Sequence, residues 1–409
     1  MSEQRDISEA VPLNGSVERP GQFARMMAAA FLCYLGMVMP MSSISVHVTE
    51  AWGLSNLVAG IAAGIAFLST IVYRKPAGDR IDCQGGKHCF RHGCLWYAAG
   101  GAVCLLAAAE TLPLPVRLGA LLGGRLVLGI GESLNTAGMA YWSVNLKGVD
   151  KAGQVFATLG MSVYGAAAVG GQAGFYLYQH TGFFGLMLVS TLTPLGAYLI
   201  TGGCPDAGRN EVSPVKPSLG KVLRYIWHLG VPTCLIGVGF AVVGAFLSKT
   251  FVARGWEYAG WGFSACGFGF VIMRVFIGHL PDRIGGLPVA AVSAVAEMCG
   301  LYMLFFAPGQ VFALFGAFLT GAGVSMVFPS LGMEVAKTVP TEMRGASLSS
   351  YNIFIDVAYG FSGPIAGLLV DRWGEGAAFL FAAQMATLGL FAVLLNMFAR
   401  RGRAGRGGA

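Results

Sequence analysis

The sequence predicts an all-α membrane protein whose twelve transmembrane helices form two pseudo-symmetric six-helix bundles. Three observations predict it: the composition, the spacing of the apolar runs and an internal repeat. Hydrophobic residues make up 55% of the 409, charged residues only 11%, and the mean hydropathy is +0.65. A soluble domain carries about 25% charged residues to face water, so most of this chain needs lipid as its solvent. In a bilayer core every backbone group must be satisfied internally, which leaves helices or a closed barrel. The apolar runs lack period-2 alternation, so helices are expected. The 61 glycines fit the same picture, since small residues at four-residue spacing, such as Gly60 and Gly64, let membrane helices approach closely.

Each run is long enough to span, given that a spanning helix needs ~20 apolar residues. The runs fall at 23–46, 55–73, 93–110, 117–142, 154–177, 183–203, 225–247, 260–278, 289–307, 311–336, 346–369 and 376–398. The first is longer than the 7–15 residues of a signal-peptide core, and its leader is polar and mixed in charge, so it reads as an uncleaved span. An even number of spans puts both termini on one side. Twenty-two of the 27 Lys and Arg residues lie in the tails and even-numbered connections and four lie on the opposite side, which by the positive-inside rule makes the termini cytoplasmic. The basic balance, pI 9.0, is thereby a membrane signal, and no nucleic-acid partner is expected. A polar stretch from Cys204 to Arg224, with Pro205, Pro214 and Pro217, separates the halves. The expected organisation is a tail (1–22), a bundle (23–203), a central loop (204–224), a second bundle (225–398) and a basic tail (399–409) suited to anionic headgroups.

The halves repeat each other. Arg74, Gly78, Asp82, Gly85 and Gly86 recur 200 positions later as Arg274, Gly278, Asp282, Gly285 and Gly286. At an offset of 192, Gly153, Gly171 and Gly182 match Gly345, Gly363 and Gly374. Parallel six-span repeats are one of the two transporter plans, with the substrate site at mid-membrane between them.

These residues resemble the major facilitator superfamily over positions 23 to 398. Its loop motif between spans two and three, Gly-x-x-x-Asp-Arg-x-Gly-x-Arg/Lys, reads here Gly78, Asp82, Cys83, Gly85, Lys87, with Cys83 in place of the arginine. The second copy, Gly278, Asp282, Arg283, Gly285, keeps it. Arg125 and Gly129 stand for the span-four Arg-x-x-x-Gly. Gly165, Gly170, Gly171 and Gly174 resemble the antiporter-type glycine motif of span five, with Gln172 at its customary proline, while the second half has Gly363-Pro364. The stretch Phe328–Gly332 and the later Arg344-Gly345-Ala346 are similar to small bacterial inner-membrane exporters of the sugar and drug efflux type. The resemblance implies a monomer that carries a small-molecule substrate together with protons. It also implies that the paired loops, with Arg74 and Arg274 near span ends, hold the cytoplasmic side shut; the bland alternative is a topology signal alone. Their glycines would make tight turns, and Asp82 and Asp282 would cap helix N-termini, where the dipole favours negative charge.

Candidate chemistry lies in the deep ionisable residues. A charge at mid-span costs about 2.5–3.5 kcal/mol, so Arg125 should face the interior with a partner; Glu132, two turns on, is the expected one, and the structural alternative is a pair that only locks packing. By resemblance Arg125 serves proton transfer or substrate orientation. Burial raises a carboxyl pKa and a neighbouring cation lowers it, so a carboxylate alternating between the two is a proton carrier. Glu132 and Asp356 lead as proton candidates. Glu297 is equally readable as a hydrogen-bonded packing group. Cys83, His88, Cys89, His92 and Cys94 carry metal-ligating atoms in no established pattern, so neither metal nor cofactor is expected. An intramembrane enzyme would need a nucleophile–base pair or ligand set at depth, and no His-Glu-x-x-His exists. The expectation is an exporter of a small organic solute by proton antiport. Within transport the alternatives are an exporter dedicated to one metabolite, such as a siderophore or sugar, and a proton-coupled importer. A non-transporting sensor on the same scaffold is the rival class.

Overall fold

The computed structural model describes residues 21–148, 151–206, 218–340 and 343–406. The chain runs α1 (Gln22–Val38), α2 (Met41–Val46) with a π-turn at His47–Ala51, α3 (Asn56–Gln84), α4 (Gly86–Leu105), α5 (Leu114–Lys147) and α6 (Ala152–Ile200). The second half follows as α7 (Leu219–Ala253), α8 (Ala259–Ile277), the short α9 (Leu280–Ile284), α10 (Gly286–Phe305), α11 (Gln310–Thr338), α12 (Arg344–Trp373) and α13 (Gly376–Arg406). Among the described residues ten helices are long and apolar enough to cross a membrane, counting α1 with α2 and its π-turn as one. Twelve crossings result because α6 carries two and α4, with Lys87, His88, Arg91 and His92 at its start, is long enough though less apolar. At 1.5 Å per residue α6 would run ~73 Å, more than twice a hydrocarbon core. Gly182 (φ 68°, ψ −173°) breaks it and turns the chain back.

Glycines at positive φ mark equivalent corners of the two halves. Gly85 (φ 83°) and Gly285 (φ 91°) are offset by 200, and Gly182 and Gly374 (φ 83°) by 192. A side chain at such a φ is strained, so the repeat read in the sequence is a repeat of turn geometry. Gly78 makes no turn, contrary to expectation: it lies inside α3 with nothing near its Cα on which a side chain would intrude. Gly85 and Gly285, not the motif aspartates, occupy the N-caps of α4 and α10.

Within the first half α4 packs on α5 and α1 on α6; within the second, α10 packs on α11 and α7 on α13. The halves meet through α3 against α12 and α6 against α8. Contacts across these seams and within each half repeat at the sequence offsets. Gly60 lies on the Gly363 carbonyl, as Gly260 lies on Gln172. Gly129 lies on the Ala66 carbonyl and Gly321 on that of Cys266. Ser133 Oγ donates to the Thr70 carbonyl and Ser325 Oγ to the Phe270 carbonyl, both at 2.8 Å. A pseudo-twofold therefore relates the bundles down to single hydrogen bonds. Outside, Val72, Leu199, Phe276, Phe306 and Phe391 stand exposed, the apolar coat of a protein dissolved in lipid.

Several helices overrun the expected spans. Helix α7 begins at Leu219 rather than 225 and continues through Lys249, because Lys249 is not in a loop: it is buried and ion-paired to Glu375. Most of the expected central loop lies outside the described residues. The motif positions Gly153 and Gly345 fall in or beside helix starts.

Candidate functional site

The side on which α1 begins and α13 ends is called here the terminal face, and the other the far face. Where the halves meet at mid-depth a cavity of ≈ 30 Å³ remains, room for a water or two, lined by Tyr34, Met37, Phe67, Tyr164, Phe240 and Tyr359 among others. Every lining element faces it because the two seams bring α1, α3 and α6 of one half against α7 and α12 of the other. On the far-face side Asp371 of α12 caps α3: its carboxylate accepts from the Asn56 N–H (2.9 Å), the Leu57 N–H (3.0 Å) and Asn56 Nδ2 (2.8 Å). Free N–H groups at a helix start and the helix dipole both favour that anion.

On the terminal-face side the seam is closed by charge. Arg74 Nε and Nη2 donate to the two Asp356 oxygens at 2.7 and 2.9 Å, a bidentate bond joining one half to the other. The side chains are 12% and 4% exposed, so Arg74, though near the end of the expected span, does not reach out to the interface. It crosses the seam to the carboxylate singled out as a proton candidate.

Glu132, 3% exposed, lies in the same half as Arg74, and the adjacent Ser133 bonds to Thr70, one turn before Arg74 on α3. Glu132 does not pair with Arg125. Its oxygens accept from Tyr34 OH (3.0 Å), Thr136 Oγ1 (2.8 Å) and Tyr97 OH. Arg125 instead donates to the carbonyls of Ala62 (3.2 Å) and Ala63 (2.7 Å) on α3, with Nη1 unpaired. Seven residues put the two charges ~10 Å apart along α5. Gly129, midway, lets α3 press into the groove between them and offer its carbonyls. Arg125 thus ties span four to span two.

Glu297 is fully buried, and neither carboxylate oxygen has a hydrogen-bond partner among the described residues. Gly239 of α7 and Gly323 of α11 lie against it. It is therefore neither the hydrogen-bonded packing group of one reading nor part of the Glu132 cage.

The remaining motif residues are dispersed. Lys87 Nζ donates to the carbonyls of Cys204 (2.5 Å) and Gly202 (3.2 Å), tying the start of α4 to the end of α6. Asp282 and Arg283 occupy the exposed short helix α9. Gln172, at the expected proline, keeps an N–H that donates to Ser264 Oγ (2.8 Å) across the α6–α8 seam. Gly171 and Gly174 pack against Ser264 and Met39; Gly165 and Gly170 face Phe31 and Leu35. Gly363 and Pro364 form the matching close approach to Gly60. Cys83 is exposed while Cys89 and Cys94 are buried, and His88 lies 3.6 Å from Asp206; no metal-holding group of three or more His, Cys, Asp or Glu occurs among the described residues.

Sequence reasoning missed the hydroxyl cage around Glu132. Thr136, one turn on along the same helix, was readable; Tyr34 and Tyr97 reach it through tertiary packing alone. It also missed Asp371, the Lys249–Glu375 pair, and Glu334. The last accepts from the Gly286 N–H (3.1 Å) and pairs with Arg400, so at least one arginine of the basic tail serves an internal bond rather than lipid.

Comparison with known proteins agrees with this architecture. The family model described as Major Facilitator Superfamily matches residues 26–355 and 229–408. An uncharacterised MFS-type transporter of Salmonella typhimurium is 39% identical over 376 residues, covering 91% of this chain and 95% of its own. One from Burkholderia mallei is 33% identical over 390 residues, 95% of each chain. Among solved structures a D-xylose–proton symporter superposes with TM-score 0.75 at 14% identity, covering 91% and 96% of the two chains. The nucleoside transporter NupG gives 0.73 at 13% identity, covering 91% and 99%. Those likenesses establish the fold. Together with the full-length relatives they establish that the chain belongs to the major facilitator superfamily, a family of membrane transporters and not of enzymes.

Proposed function

We propose that the protein exports a small organic solute across a bacterial inner membrane by proton antiport, with the terminal face cytoplasmic. The observation that carries the reading is the Arg74–Asp356 bond across the seam, with Glu132 buried in the same half as Arg74. One guanidinium is bonded to a carboxylate of the other half, and a second buried carboxylate, Glu132, lies in its own half. A proton on Asp356 removes the charge that holds the halves together on the cytoplasmic side, and Arg74 then turns to Glu132. Deprotonation restores the cross-half bond. Protonation and solute binding each favour one of two states, which is what couples them. Opening and closing proceed by rocking of the two bundles about the cavity, with the small-residue seams as bearing surfaces. The paired loop glycines and the Lys87 contact hold each bundle rigid on that face.

The test is solute-screened proton flux in proteoliposomes with an imposed pH gradient, comparing wild type with Asp356→Asn and Glu132→Gln. Both variants should lose coupling. Full coupling in both refutes the assignment, and binding without flux would make the protein a sensor. Direction follows from cells that overproduce the protein: an exporter lowers solute accumulation, an importer raises it. A screen that returns a single solute would make it a dedicated exporter.

A further inference from the structure

The pseudo-twofold relates seam residues of one half to those of the other, and the ion pair across the seam is made on one side only. It carries Arg74 onto Arg274 and Asp356 onto Tyr164, at the offsets of 200 and 192. Arg74 has its carboxylate. Arg274 has none: it makes no ion pair or hydrogen bond with any described residue, and its Nε is buried and unpartnered. Its guanidinium lies over the Phe270 ring, 5.5 Å from the centroid. Phe270 in turn stacks on Tyr164, which lines the central cavity. Gly160, a turn from Tyr164 on α6, has no side chain to cover the guanidinium; a Cβ there would lie 3.5 Å from Nη2.

A guanidinium inside a membrane bundle is costly unless a counter-charge meets it. Its planar fork fits a carboxylate bidentately, as Arg74 does here. We propose that Arg274 anchors the carboxylate of the transported solute, which fills the place that Asp356 fills on Arg74. The proposal rests on the transport reading and adds the substrate class. Between Arg274 and the cavity lie Phe270, Tyr164 and Phe240, so the remainder of the solute is an aromatic or branched apolar body. The cargo is an amphipathic organic acid. Anionic lipid headgroups offer the same recognition chemistry at the terminal-face end of α8, and the test separates the two.

Full-length protein in nanodiscs of phosphatidylcholine alone is titrated with radiolabelled 4-phenylbutyrate and with its uncharged amide as comparison. Wild type is expected to bind the acid at least tenfold tighter than the amide. Arg274→Gln should lose that preference, and Arg274→Lys should keep only part of it because an ammonium cannot fork. Tyr164→Asp supplies the missing carboxylate internally; it should abolish acid binding while the protein stays monodisperse and as heat-stable as wild type. Equal binding of acid and amide, undetectable acid binding, or unchanged acid binding in Arg274→Gln overturns the proposal. So does displacement of the probe by phosphatidylglycerol added to the disc, which assigns the site to lipid. Acid binding through Arg274 without proton-driven flux would sink the transport reading and leave this site standing. Proton-coupled flux of a solute indifferent to Arg274→Gln would do the reverse.

Discussion

Substituting Gly60 by alanine tests whether the far face is closed by backbone contact between the halves. A Cβ on Gly60 would overlap the Gly363 carbonyl and lie 3.0 Å from the Pro364 nitrogen. These are backbone atoms, so neither helix relieves the overlap by turning a side chain. Overpacking of this kind costs about 1–3 kcal/mol, and here the cost falls only on the state in which α3 and α12 touch. At tenfold per 1.4 kcal/mol the closed far face loses about 5- to 150-fold against the open one. At the twofold-related Gly260 the nearest obstacle is the Gln172 side chain, which can move, though Phe175 Cβ at 2.8 Å cannot easily follow. Gly260→Ala should therefore shift the balance in the same direction but less. The assay is a spin-label distance between Glu110 and Pro308, in far-face connections of opposite halves, after replacing the exposed Cys83 and Cys299 by serine. A longer-distance population should appear in Gly60→Ala, and a smaller one in Gly260→Ala. An unchanged distribution in folded Gly60→Ala refutes the argument that this seam sets the closed state.

Other outcomes follow from single contacts. Gly78→Ala should be silent or stabilising by up to about 1 kcal/mol, because the site is an open helix interior, whereas Gly85→Ala should destabilise by about 1–3 kcal/mol because its φ of 83° with ψ 162° is open essentially to glycine alone; thermal unfolding in detergent compares them. Lys249→Met should cost about 1–3 kcal/mol by leaving half-buried Glu375 without its ion-pair partner, and adding Glu375→Gln should recover most of that loss. Arg125→Met should fold, because its charge meets only carbonyls, yet it should loosen span four from span two; faster hydrogen exchange at Ala62–Ala66 reads this, and unchanged exchange would contradict it. In a double-mutant cycle on Arg74→Gln and Asp356→Asn the two flux defects should fall well short of additivity, as expected of partners in direct contact.

Sequence made the architecture legible for a physical reason. Lipid leaves helices only two local signals, apolar length and small residues, and both are written along the chain. The twelve runs, the central division and the matched glycines of the corner turns all rest on them. What stayed hidden depended on azimuth. Arg125 and Glu132 share a helix face, yet one meets carbonyls of α3 and the other meets Tyr34 and Tyr97, because a close-packed glycine between them admits a neighbouring backbone. Arg74 was placed near a span end by its position along α3, but only the packing of α3 on α12 turns it toward Asp356. Lys249 read as a loop charge because its partner, Glu375, lies 126 residues away.

The pseudo-twofold also sorts packing from chemistry. Where the halves agree, the shared features are glycines at close approach, hydroxyls bonded to a neighbouring carbonyl, and glycines at positive φ. Where they differ, the difference is charge or hydrogen-bonding capacity: Asp356 against Tyr164, Glu132 against Val324, Glu297 against Tyr97, Arg125 against Ala317. A duplicated bundle must keep its seams alike for both halves to rock on them, so those positions are constrained together. Its ionisable groups are under no such symmetry. A proton path needs carboxylates that see one another in one state and are parted in the next, and two identical halves would place equal charges face to face. Setting Asp356 opposite Arg74, and leaving Arg274 without a carboxylate, avoids that conflict. On the proposed mechanism it gives the proton one half-pair and leaves the other to the solute.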